Sequence, residues 1–272
     1  MPENSRRRWF RFKMRTALAA TLILSLPLAW AAHERAQIRK RSAVLLATRD
    51  EQQPFGAVQP WWRRWAVGSD PFYKVPYWSA RDAGSTDESL AYVCTLVDLN
   101  GLYMRKSPIS DAGLVHLKRL AKLQNLNLME SQITDAGLAN IDHLTQLNLI
   151  CLDGTDITDA GLIHLENLPK LRFVSLRDTQ ITDEGLRRLG RLTQIVNLGL
   201  AGTQVSDDGV AHLRDLKHLE TLGLELTRVT DTGLLHLYGL ARLKTVFLHG
   251  TRTSDAALQK LRNALPNVVI QE

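Results

Sequence analysis

Cysteine is scarce. The chain of 272 residues holds two, Cys94 and Cys151, with no Cys-x-x-Cys pair and no Cys/His spacing suited to zinc. They stand at different positions of the internal repeat described below, so no disulfide is expected between them. There is no Gly-rich phosphate loop, no H-E-x-x-H helix and no Gly-x-Ser-x-Gly elbow. These absences remove the single-motif routes to phosphoryl transfer, zinc proteolysis and serine hydrolysis. No catalytic residue, cofactor or metal ligand is assigned. Positive charge is also missing where a nucleic-acid binder would need it. The net charge is +6, but residues 1–65 carry 13 Lys/Arg against 4 Asp/Glu, which leaves the rest at −3. The basic excess sits in the N-terminal tail rather than on a folded surface, and no nucleic-acid partner is expected.

Long apolar runs are limited to one. Residues 1–15 form a basic tail, and Thr16 to Ala32 is a stretch of 17 residues without a charge. As a helix it would span about 25 Å, at the short limit for a bilayer core of about 30 Å. Arg15 and Arg35 could extend it by snorkelling. The expectation is a retained membrane anchor, with a cleaved secretory signal ending at Ala29-Trp30-Ala31 as the alternative. Six basic residues precede the run and four follow it, beside Glu34. That asymmetry places the N-terminus in the cytoplasm and the remainder outside. Residues 33–80 begin as a basic helix. They then become rich in proline and aromatics, including Trp61-Trp62-Arg63-Arg64-Trp65. This stretch reads as a cap on the following domain or as a membrane-interface belt.

What dominates the chain is a 24-residue repeat. Asp recurs at Asp87, Asp111, Asp135, Asp159, Asp183, Asp207, Asp231 and Asp255. Gly follows two places later from Gly113 to Gly233, then a column of Leu or Val, with no insertion. One unit, residues 158–181, explains the mechanics. Thr158 is a helix N-cap and Asp159 sits at the positive end of the helix dipole. Leu162, Leu165 and Leu168 share a helical face, and Val174 and Leu176 alternate at strand spacing. A lone unit cannot bury its leucines, so the units must stack, strand beside strand. The expected fold of residues 81–272 is α/β, a curved solenoid of about eight repeats. It would have parallel strands on the concave face and short helices on the convex face, preceded by one N-terminal apolar helix.

The pattern Leu171-x-x-Val174-x-Leu176-x-x-Thr179-x-Ile181 resembles the leucine-rich-repeat consensus. The Thr158-Asp159-Ala160-Gly161-Leu162 block resembles the subclass found in F-box-type and many bacterial members. The opening Arg7-Arg8-Trp9-Phe10-Arg11-Phe12-x-x-Arg15-Thr16, and the Trp-rich stretch ending Gly68-x-Asp70-Pro71-Phe72, resemble membrane-anchored repeat proteins of planctomycete bacteria. The resemblance implies a non-catalytic scaffold that binds a protein or peptide on its concave face. The alternative is a secreted, soluble adaptor or effector-like protein. The sequence departs from the pattern at Leu226, Thr253, Ala257 and Asn267, and the last three mark a degenerate final repeat.

The outward strand positions are the candidate binding surface. Tyr103, Met129, Leu149, Cys151 and Phe173 make a diagonal apolar patch, rimmed by Arg105, Asp153 and Arg177. Such a patch suits a protein partner. His116, His164, His212 and His236 share a repeat position but read as solvated helix residues. The Asp column reads as capping rather than a calcium array, because calcium needs several oxygens converging on one point.

Overall fold

The computed structural model describes residues 77–81, 86–94 and 99–272. The expected tail (1–15), apolar segment (16–32) and most of the linker or cap lie outside the described residues. Within them, nine parallel strands form one sheet in chain order. They are β1 (Tyr77–Arg81), β2 (Gly101–Arg105), β3 (Asn125–Asn127), β4 (Leu149–Cys151), β5 (Phe173–Ser175), β6 (Asn197–Gly199), β7 (Thr221–Gly223), β8 (Thr245–Phe247) and β9 (Val269–Gln271). Each residue pairs with the one 24 places on, as Leu149 with Phe173 and Phe173 with Asn197. β1 falls in the stretch read from sequence as linker or cap, and it pairs along the whole length of β2.

The connections return through short helical turns that share one chemistry. Helix α1 is Asp87–Val93, α2 Asp111–Leu114, α3 Asp135–Leu138, α4 Asp183–Leu189, α5 Asp207–Ala211, α6 Asp231–Leu235 and α7 Asp255–Ala264. The turn between α3 and α4 is a 3-10 helix, Gly161–Leu165. Thr182 shows how most of them begin, although Ser206 makes no side-chain cap bond. Its backbone is extended, and its hydroxyl accepts the Glu184 N–H at 3.3 Å. The same hydroxyl donates to Asp159 Oδ2 of the preceding repeat at 2.5 Å. Asp159 Oδ1 accepts the Thr182 N–H at 2.9 Å. Seven such pairs run from Asp87 with Ser110 to Asp231 with Ser254. The periodic Asp is therefore more than a cap for its own helix. Its carboxylate ties each repeat to the next.

The glycine column follows from the same contact. A methyl group on Gly185 would stand 2.3 Å from Asp159 Oδ1, so only glycine leaves room for the carboxylate. The final repeat tests this, because Ala257 occupies the glycine position. There the cap moves: Ser254 accepts from the Ala257 N–H, one residue further along than Thr182 does. The bonds to Asp231 survive, at 2.6 and 2.7 Å.

Leu162, Leu165, Leu168, Leu171, Leu176 and Ile181 are fully buried, as the periodicity requires. Each contributes about 1.5–3 kcal/mol by leaving water. After each of the strands β2 to β8 the chain turns through a residue with φ between 53° and 72°, the left-handed region, at Lys106, Glu130, Gly154, Asp178, Gly202, Leu226 and Gly250. The next residue buries a hydroxyl that donates to the carbonyl three places back, as Thr179 does to Leu176 at 2.5 Å. Asn267, in the last turn, is exposed where the equivalent Leu243 is buried.

The bonds from the Ser254 N–H and hydroxyl hold the Asp231 carboxyl below the usual carboxylate range. A folded pKa below the unfolded one stabilises the fold above the unfolded value. That contribution is lost as pH falls through the folded one. Asp231→Asn should therefore lower the urea midpoint at neutral pH, because its NH₂ group cannot accept from the hydroxyl. The deficit should close as pH is taken below ~4. A deficit of equal size across the whole pH range would contradict this account.

Candidate functional site on the strand face

Two side-chain columns leave each strand on the face away from the helices. The register aligns Gly101, Asn125, Leu149, Phe173, Asn197, Thr221 and Thr245 in one column. Tyr103, Asn127, Cys151, Ser175, Gly199, Gly223 and Phe247 form the other. A third row, at the end of β2 and just beyond the later strands, holds Arg105, Met129, Asp153, Arg177, Ala201, Glu225 and His249. The inward columns repeat Leu, Ile or Val almost without exception. The outward columns vary far more, with only Gly199/Gly223 and Thr221/Thr245 alike in successive repeats, so the fold does not dictate them.

Four of the five residues expected in the apolar patch come together, with less open surface than the sequence suggested. Met129, Leu149 and Cys151 form a buried cluster, at most 8% exposed, against which Phe173 packs. Strands spaced about 4.8 Å apart bring these neighbours into contact, and they cover one another. Tyr103 and Phe173 remain half-buried, and Tyr103 lies outside that cluster. Arg105 bonds Glu130 at 3.3 Å. Arg177 reaches over the small Ala201 to Glu225, two repeats away, at 3.3 Å. Its backbone N–H donates to Asp153 Oδ1 at 3.0 Å.

Asp153 is 4% exposed. Burial pushes its carboxyl above the usual range, opposed by Ser175, the Arg177 N–H and the Arg177 charge. Burial, reinforced by the Asp153 charge, raises the Cys151 thiol well above its ordinary value. Cys151 is therefore a thiol rather than a nucleophilic thiolate at neutral pH. Cys94 is likewise pushed up to about 12 by burial.

Sequence reasoning missed Asn197 and Glu225. Asn197 is 3% exposed, and neither amide atom has a hydrogen-bond partner; Glu225 Oε2 is also buried and unpartnered. Such atoms cost about 1–3 kcal/mol each. Gly199 and Gly223 lie beside them, so the sheet between Phe173 and Phe247 is floored by small residues. Of the four aligned histidines, His164 is not merely solvated, since its Nδ1 meets Asp142 Oδ1 at 2.9 Å.

One parallel sheet backed by short helical turns, in strict 24-residue register, defines an α/β repeat solenoid. Residues 167–190 match the family model described as Leucine Rich repeat. Among solved structures, the chain is similar to internalin C2 of Listeria monocytogenes, with 29% identity and a TM-score of 0.56. That match covers 72% of this chain and 80% of the other. It is also similar to an internalin (inlF) of the same organism, with 24% identity and a TM-score of 0.54, covering 67% of this chain and 56% of the other. The chain thus spans little more than half of the latter protein. The comparison with curated proteins returned no match. The fold is that of the internalin leucine-rich-repeat solenoids.

A carboxyl whose folded pKa is raised destabilises the fold wherever it is charged. Stability falls as pH rises from the ordinary carboxylate value through the raised one. Asp153→Asn keeps an acceptor for the Arg177 N–H and removes the buried charge. It should melt higher than wild type at neutral pH, and the gain should vanish in acid. A variant less stable at neutral pH would show that the charge is structurally required.

Proposed function

We propose that this chain is a non-catalytic interaction protein that binds a protein or peptide across its strand face. It would be held at the cytoplasmic membrane by residues 16–32, with its repeats outside. The observation that carries the reading is the contrast between columns. Inward positions repeat because packing demands it, while outward positions vary from repeat to repeat and include buried polar groups that the fold does not need. Groups held at a cost to stability are a mark of recognition surfaces. The half-exposed aromatics Tyr103 and Phe173 and the flanking Arg105 and Arg177 are residue types over-represented in interface anchors. The resemblance of the N-terminal segments to membrane-anchored planctomycete proteins supports the anchored form. A secreted, soluble adaptor is the alternative, and mass-spectrometric identification of the mature N-terminus separates them, since cleavage after Ala31 excludes the anchor.

The surface is tested with Tyr103→Ala and Phe173→Ala. Leu149→Asp is unsuitable, because it would bury a charge in the cluster beneath. Both alanine variants should keep the wild-type circular dichroism and lose capture of the partner in pull-downs from native membranes. Capture unchanged in both would refute binding on this face.

A further inference from the structure

We propose a second binding site, for an acidic peptide segment, in a groove of about 550 Å³ at the N-terminal ends of strands β3 to β7. Its volume lies within the range of ordinary ligand sites. The groove is separate from the strand-face columns and lies where the chain enters each strand from the helical layer. Four amide side chains line it, Gln124, Gln146, Asn148 and Gln194, together with Lys170 and Arg172. No carboxylate lines it, although residues 66–272 carry a net charge of −3. Lys170 donates to Gln146 Oε1 at 2.6 Å, a neutral partner that leaves its charge uncompensated. Arg172 is exposed. At the far end His218 meets Arg242 at 2.9 Å, a further cation on the same edge.

The chemistry of the ligand follows from what this lining leaves unmatched. Lys170 and Arg172 call for anionic acceptors, and a guanidinium offers carboxylate a two-pronged partner. Inorganic sulfate supplies acceptors alone, whereas the amide oxygens of the lining also take donors. A peptide carrying Asp or Glu supplies both, through side-chain carboxylates and main-chain N–H groups. The glutamine and asparagine amides each donate and accept, which suits a peptide backbone. No aromatic side chain lines the groove, so a sugar ring would find no flat apolar face to lie against.

The test uses the full chain and a hexaglutamate peptide bearing a benzophenone photocrosslinker and a fluorescent label. Residues 1–65 are basic and will attract the same probe. Crosslinks are therefore mapped by mass spectrometry, and affinity is compared between wild type and the Lys170→Glu/Arg172→Glu double variant. Wild type should crosslink within residues 124–218, and the double variant should lose those crosslinks and bind at least roughly tenfold more weakly. The milder Lys170→Gln/Arg172→Gln pair should weaken binding in the same direction, which guards against misfolding of the charge-reversed form. Phe173→Ala should leave these crosslinks intact, so failure of the strand-face reading and of this one are distinguishable. Crosslinks confined to residues 1–65, an unchanged affinity in both double variants, or displacement of the peptide by equimolar inorganic sulfate or dextran sulfate would each overturn the proposal.

Discussion

The bond from each aspartate to the next repeat's cap is the interaction on which the rest of the solenoid depends. The backbone ladder sets the spacing of the strands, but on the helical side of each turn the packed leucines are non-directional. The Asp159 carboxylate supplies direction. It takes a backbone N–H and a hydroxyl from Thr182 at once, so position and orientation of the next turn are fixed together. Thr182 then starts its own helix, which carries the next aspartate, Asp183. The repeat propagates itself, with each residue in the chain of bonds both constrained by the preceding unit and constraining the following one. The glycine two places after each aspartate is the steric counterpart of this contact. Ala257 marks where the pattern ends, since the cap adjusts to its methyl group and the helix lengthens to Asp255–Ala264.

This division of labour frees the strand face. Stacking is carried by the aspartate edge and the buried leucines, and the turns after the strands are closed by buried hydroxyls such as Thr203, bonded to the Leu200 carbonyl at 2.6 Å. Side chains on the outer face of the sheet link repeats only here and there, as Asp153 does with the Arg177 N–H. They vary, and several would be poor choices for stability alone. Asp153 is buried, Asn197 has unmatched amide atoms, and Leu226 takes a left-handed turn conformation while 63% exposed. A leucine there costs about 1–2 kcal/mol relative to an unstrained backbone. Gly202 and Gly250 occupy the equivalent turns without that strain.

Much of the architecture was legible before any coordinates. An uninterrupted 24-residue period leaves few ways to pair Leu149, Phe173 and Asn197 other than side by side, and those are the observed register pairs. The alternation of Val174 and Leu176 fixed which side chains point inward. What periodicity could not convey was contact along the solenoid axis. Asp159 and Thr182 are 23 residues apart, and a capping reading of each in its own helix was complete enough to hide the bond between them. The same limit affected the strand face. Leu149 and Cys151 were identified correctly as outward, but outward is not exposed when neighbouring strands bring Met129 and Phe173 against them.

The sequence by itself determined the repeat, the element types, the inward and outward columns and the separation of a basic tail from a slightly acidic domain. Local periodicity and composition suffice for these, because each depends on residues within one unit or on their totals. Only the tertiary structure decided that the aspartates link repeats, that the apolar patch is largely self-covered, and that Arg177 reaches Glu225 over Ala201. It also placed Gln146, Lys170 and Gln194, from successive turns, in one groove without a carboxylate. Each of these depends on atoms brought together across turns, and stacking geometry, rather than spacing along the chain, sets those distances.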